Sequence, residues 1–144
     1  FCIGAAADPG AKDLDVEMQK FRAKIEGGAV FFQTQAVFDP AALTAFMARA
    51  KTFEKPVLAG ILLVKSAKMA RYMNEHVWGI HVPDALIARF ERAGDKRAEC
   101  VAVTAELIRD VRESANGIHL YPLGWEDLVP DILKEAALGR SLAH

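Results

Sequence analysis

Two places in this sequence gather side chains able to do chemistry. One is Gln33-Thr34-Gln35, three polar residues set inside the β-branched and aromatic run from Ala29 to Phe38. An amide such as Gln35 donates and accepts hydrogen bonds without adding charge. At the end of a strand it serves a ligand or bonds a neighbouring loop. The other is Glu17, Lys20 and Lys24, which line up apart from the apolar series Leu14, Met18, Phe21 and Ile25. A lysine ammonium is a compact cation that pairs a phosphate oxygen, and the same stripe also describes a solvated helix face. Cys2 and Cys100 lie far apart without CxxC spacing, which favours two buried, reduced thiols over a disulfide or a metal site. His76, His81, His119 and His144 are scattered and are assigned no role.

The chain has 144 residues, 52% of them apolar, enough for one domain with a substantial core. Lys plus Arg, 18, nearly cancels Asp plus Glu, 19, and no basic run exceeds two residues, so a phosphate-backbone grip on nucleic acid is not expected. The longest apolar stretch, Pro56 to Val64, is less than half of the roughly 20 residues that a membrane-spanning helix needs. A soluble, cytoplasmic protein with no membrane partner is expected.

Strand and helix signals alternate along the chain. Phe1 to Ala6 reads as a strand stopped by the turn residues Asp8-Pro9-Gly10, followed by a polar loop to Asp15. An amphipathic helix then ends at Gly27-Gly28. After the strand Ala29 to Phe38, Asp39 and Pro40 supply an N-cap and a first helical residue, with Leu43, Phe46, Met47 and Ala50 turned inward. Pro56 to Val64 is the third strand, and Ser66 caps a helix whose inner face is Met69, Tyr72 and Met73. Pro83 opens an inserted helix carrying Leu86, Ile87 and Phe90 and closed by Gly94. A long helix follows from about Asp95 to Ser114, with Cys100, Val101, Ala105, Leu107, Ile108 and Val111 as its apolar stripe. Gly117 to Leu123 is the fourth strand, and Pro130 opens a final helix with Ile132, Leu133 and Ala136 inward, before a polar chain end. Strands that are apolar on both faces require a parallel sheet covered by helices. Right-handed crossovers leave two architectures open, a flavodoxin-like open sheet or half of a (β/α)8 barrel.

The segment EMQKFRAKIEGGAVFFQTQAVFD, residues 17 to 39, resembles the methylenetetrahydrofolate reductase family. The likeness extends along nearly the whole chain: AAADP at 5 to 9 stands for an AAYP-like turn, PVLAGILLVKS at 56 to 66 for a PIIPGI strand, and YPLGWEDLVP at 121 to 130 completes the order. The resemblance implies an α/β fold in which residues 1–144 form a single partial domain, the C-terminal half (strands five to eight) of a (β/α)8 TIM barrel lacking its N-terminal half. It implies a flavoprotein oxidoreductase of one-carbon metabolism and methionine biosynthesis. The reaction moves a hydride from reduced nicotinamide, or another electron donor, through FAD or FMN to methylenetetrahydrofolate, giving methyltetrahydrofolate.

By the same resemblance Gln35 is the active-site glutamine that hydrogen-bonds the pterin or the nicotinamide amide, while Glu17, Lys20 and Lys24 lie on the helix that reaches the flavin's ribityl and phosphate groups. Four family positions depart: an arginine falls on Ala23, a cofactor-side tyrosine on Ala7, a second substrate-side glutamine on Met69 and a folate-tail arginine on Trp125. An indole at Trp125 could stack on the aminobenzoyl ring. Lys65-Ser66 and Gly124-Trp125-Glu126 look like a branch found in anaerobic one-carbon pathways, where the electron donor differs. The family's acidic catalytic residues belong to strands one to four, so no catalytic residue is expected here and the chain alone should not turn over. It should instead form a homo-oligomer or associate with an N-terminal half. Two rival readings stand beside this one: a non-catalytic half-barrel that binds a flavin or a partner, and an unrelated open α/β phosphate-binding module.

Overall fold

Residues 1–137 are described by the structure, a computed structural model; His144 and the polar chain end lie outside the described residues. The strands form in largely apolar runs, and four of the six α-helices of the described residues begin at a side-chain cap. The order is β1 (Gly4–Ala7), α1 (Leu14–Glu26), β2 (Phe31–Ala36), α2 (Pro40–Ala50), β3 (Val57–Leu62), α3 (Ala67–His76), α4 (Asp84–Arg92), α5 (Lys96–Val111), β4 (Gly117–Tyr121) and α6 (Val129–Glu135). Asp13, Asp39, Ser66 and Asp95 cap α1, α2, α3 and α5 by accepting first-turn N–H groups. No helix among the described residues is long and apolar enough to cross a membrane.

All four strands are parallel and lie in sequential order, β1-β2-β3-β4. Over the described residues the fold is therefore α/β with a four-stranded parallel sheet and six α-helices. The two faces of the sheet differ. Phe32 and Thr34 are buried, whereas Phe31, Gln33 and Gln35 are half-buried. A cavity of about 350 Å3 over that second face is lined only by strand residues, among them Gly4, Phe31, Gln33, Gln35 and Tyr121. The helices pack on the first face.

The core there has two parts. Around β1 and β2, Phe21 stacks on Phe32 with ring centroids 3.7 Å apart and meets Phe46 edge-on at 5.9 Å. Around β3, Ala59, Ile61 and Leu63 pack with Val82, Phe90, Cys100, Ile108 and Ile132. The inserted helix α4 is tied to α5 through Arg89, whose guanidinium donates to Glu99 at 2.7 Å and to both oxygens of Glu106.

Some sequence expectations shift. The first strand begins at Gly4 rather than Phe1, so Cys2 is exposed while Cys100 is buried; Cys2 precedes the strand and no helix covers it. The buried stripe of α3 is Ala67, Ala70 and Met73, which turns Tyr72 outward to stack on His76. The sharp stop of α4 falls at Ala93.

Phe21 is fully buried among three rings, and Phe21→Ala should lower unfolding free energy by about 3 to 5 kcal/mol, read from urea denaturation. The Arg89 hydrogen bond holds the Glu106 carboxyl below its ordinary value of 4.5, with burial opposing. A depressed folded value means the unfolded chain takes up the proton first, so this stabilisation is present above pH 4.5 and is lost as pH falls through the folded value. Thermal melts of the parent protein should therefore drop more steeply below that pH than melts of Glu106→Gln.

Candidate functional site

In a parallel sheet of this type the loops that follow each strand gather at one rim, the carboxyl ends of the strands. After β1 the chain turns on Asp8, whose Oδ1 accepts the Gly10 N–H at 2.9 Å, a turn that Asp favours for this reason. The Asp8 N–H in turn donates to Glu17 Oε1 at 2.9 Å. Asp8 and Glu17 are both buried. Burial is the largest influence on the Asp8 carboxyl and raises its pKa, the Gly10 N–H opposes it, and the nearby Glu17 charge raises it further.

At the end of β2 the sheet slips register. Gln33 faces Leu58, yet Ala36 faces Gly60, so three steps along β2 match two along β3. A bulge of this kind re-aims the side chain that follows it. Here Thr34 fills the gap: its hydroxyl donates to the Gln35 carbonyl at 2.7 Å and accepts the Gly60 N–H at 2.9 Å. Gly60 is required by the close approach, since a Cβ there would stand 2.5 Å from the Thr34 carbonyl oxygen. Gln35 emerges on the open face, and its side-chain amide has no hydrogen-bond partner among the described residues.

A third segment completes the rim. Between α3 and α4, residues 77 to 83 fold back across it, pinned by Asn74, whose side chain donates to the Val82 carbonyl at 2.9 Å and accepts the Val82 N–H at 2.7 Å. This segment carries Trp78, 80% exposed, and Gly79 at φ 79°. Clefts flank it on either side. The larger, about 740 Å3, is lined by Asp8, Lys12, Glu17, Lys20 and Trp78; the other, about 570 Å3, by Pro9, Phe38 and His81 among others.

The residues singled out in the sequence are distributed as follows. Glu17 and Lys20 share the larger cleft, with Lys20 Nζ 3.9 Å from Glu17 Oε2. Lys24, farther down α1, donates to the Ala6 carbonyl of the edge strand at 2.6 Å. Ala7 is buried in the core beside Phe32. Met69 sits in the first turn of α3, half-buried against the core. Trp125 lies with Lys65 Nζ 5.2 Å and the Arg97 guanidinium 4.9 Å from its ring centroid, so cations already occupy part of its π surface. Ala7, Met69 and Trp125 do not line the cavity that Gln35 lines.

Four rim residues escaped the sequence reading: Asp8, Asn74, Trp78 and Gly79. Asp8 was legible only as turn chemistry, and the glycine was the sole local signal for the others. His119, which carried no assigned role, faces the open side with Nδ1 3.1 Å from Gln33 Nε2. Among the described residues no three His, Cys, Asp or Glu side chains converge to hold a metal ion.

This is a parallel βα protein whose polar groups collect at the carboxyl ends of its strands, where folds of this class bind ligands. Within that class, the chain belongs to the methylenetetrahydrofolate reductase family, whose sequence model matches residues 1–137. Among solved structures it is similar to an uncharacterized protein from Clostridium thermocellum that binds two copies of 5-methyl-5,6,7,8-tetrahydrofolic acid, with a TM-score of 0.64 and 19% identity. The match covers 96% of this chain and 53% of that one, so the chain spans about half the length of that structure. No curated protein matches.

Replacing Thr34 by Val keeps the shape but strands the Gly60 N–H in a buried position, at a cost of about 1 to 3 kcal/mol. Urea denaturation should show that loss for Thr34→Val and recovery of most of it for Thr34→Ser.

Proposed function

We propose that this chain is the C-terminal half, strands five to eight, of a (β/α)8 barrel, and that it forms the folate-facing side of a flavin-dependent reductase converting 5,10-methylenetetrahydrofolate to 5-methyltetrahydrofolate. Sequential strand order, helices on one face of the sheet and an open second face support the barrel. β1 and β4 are edge strands whose outer backbone groups would be paired by four further βα units.

The observation that carries the reading is Gln35. The Thr34 bulge presents its amide at the carboxyl end of β2, with donor and acceptor both unused. Such an amide can hold the pterin of a folate and, in turn, the carboxamide of a nicotinamide, without placing a charge beside the redox centre.

The residues also fit a flavin nucleotide. Lys20 is exposed at the larger cleft, and Lys24 spends only one of three N–H donors on Ala6, leaving two for a phosphate. Glu17 contributes differently: its inward carboxylate fixes the loop after β1 that would border the ring system. A bound flavin, FAD or FMN, supplies the hydride chemistry. What this chain adds is binding through Lys20 and Lys24, orientation through Gln35, and cover from residues 77 to 83.

A second reading, a flavin- or partner-binding half-barrel without catalysis, is favoured by Ala7 and Met69, two family site positions that here pack into or against the core. The two are separated by kinetics on the protein that carries this chain with four preceding βα units. Methylenetetrahydrofolate should reoxidise the reduced flavin, and Gln35→Ala should slow that step about tenfold, as expected for one lost hydrogen bond. Unchanged reoxidation in the variant, or none in the parent, would count against the reductase.

A further inference from the structure

We propose that His119 is a positioning residue: together with Gln33 it bridges the middle of the sheet and holds the Tyr121 ring against the strand end that carries Gln35. The inference rests on the reading of Gln35 as the ligand-binding amide and adds the groups that fix it in place. Gln33 belongs to β2 and His119 to β4, strands that are separated by β3. Their side chains nevertheless meet, with Gln33 Nε2 3.1 Å from His119 Nδ1.

β3 permits this because the residue paired with His119 is Gly60. A Cβ there would stand 3.0 Å from Tyr121 Cε2 and 3.2 Å from the Gln35 carbonyl oxygen. The missing side chain leaves a notch, and the Tyr121 ring lies in it. From β4 the phenol thus crosses β3 and brings its hydroxyl to 3.5 Å from the Thr34 carbonyl, a long contact beside Gln35. His119 meets the same ring edge-on, with centroids 4.4 Å apart. A register slip interrupts the backbone ladder, so side chains must fix the strand end there. Thr34 does so from the helix-covered face through its hydroxyl, and Tyr121 does so from the open face.

The bridge also defines the state of the imidazole. A glutamine Nε2 only donates, so Nδ1 accepts and the ring proton sits on Nε2, the neutral tautomer. Gln33, Gln35 and Tyr121 share one cavity, which His119 does not line. His119 therefore acts on Gln35 through Tyr121, without touching what binds there.

The test uses the protein that carries this chain with its preceding βα units. Gln33→Leu removes the donor, and His119→Phe keeps a ring for Tyr121 while removing the acceptor. Each should weaken 5-methyltetrahydrofolate binding about three- to tenfold, the worth of one hydrogen bond, and the double variant should lose no more than the weaker single, because both break the same bond. In NMR spectra recorded without ligand, the Gln35 side-chain amide signal should move in each variant. The imidazole signal that His119→Phe removes should carry its proton on Nε2 in the parent. Lower stability in urea, with affinity and the Gln35 signal unchanged in the folded variants, would overturn the positioning role, as would a proton on Nδ1 or losses that add. Failure of the parent to bind 5-methyltetrahydrofolate would overturn the folate reading, and the Gln35 signal alone would then decide for or against the bridge. Gln33→Leu, which leaves both β4 rings in place, carries the test if His119→Phe does not fold.

Discussion

The hydroxyl of Thr34 does the work of a backbone carbonyl at the point where β2 and β3 lose register. Buried N–H groups in a sheet must find acceptors, and a bulge removes one from its ladder partner. Thr34 repairs that deficit for Gly60 and ties off the Gln35 carbonyl with the same oxygen. The repair sits on the helix-covered face, while the next residue, Gln35, appears on the open face. Strand alternation places Gln35 on the face opposite Thr34, and the Thr34 hydroxyl keeps the backbone beside it paired where the register slips.

The two faces of the sheet divide stability from function. On one, Phe21, Phe32 and Phe46 form a ring cluster, and the β3 side packs against α3, α4 and α5. On the other, the side chains are mixed: Phe31 lies beside Gln33, which meets His119, and Tyr121 approaches the Thr34 carbonyl. Burial lifts the Tyr121 hydroxyl above its ordinary pKa. A face this polar cannot be a second hydrophobic core of the kind that a doubly wound sheet buries under helices, which agrees with the open cavity above it.

At the rim, positions are fixed by links between loops rather than within them. Glu17 on α1 holds the loop after β1, Asn74 on α3 holds the segment that crosses back, and Gly79 in that segment stands over Asp8 and Gln35. A carboxylate such as Glu17, which heads a charged stripe in sequence, thereby becomes a structural tie, while Lys20 and Lys24 of the same stripe keep donors free for an anionic group.

Much of this architecture is written locally. Asp13, Asp39, Ser66 and Asp95 mark helix starts because each places an oxygen within reach of first-turn N–H groups, and apolar spacing identifies Phe21, Leu43 and Ile108 as inward because only one helix face meets the sheet. Resemblance along residues 17 to 39 likewise singled out Gln35 before any coordinates. Local signals stop at relations between distant segments. Tyr72 looked inward by spacing, but the orientation of α3 is set by what it packs on, and Ala70 took that place. The sequence by itself determined the order of strands and helices and the presence of a polar strand end, since these follow from short-range hydrogen bonding and periodic burial. Only the tertiary structure decided that Gln33 and Gln35 face the open side, that Glu17 turns inward and that Gly79 stands close to both Asp8 and Gln35, because each depends on which face the helices cover or on a loop crossing that joins residues far apart along the chain.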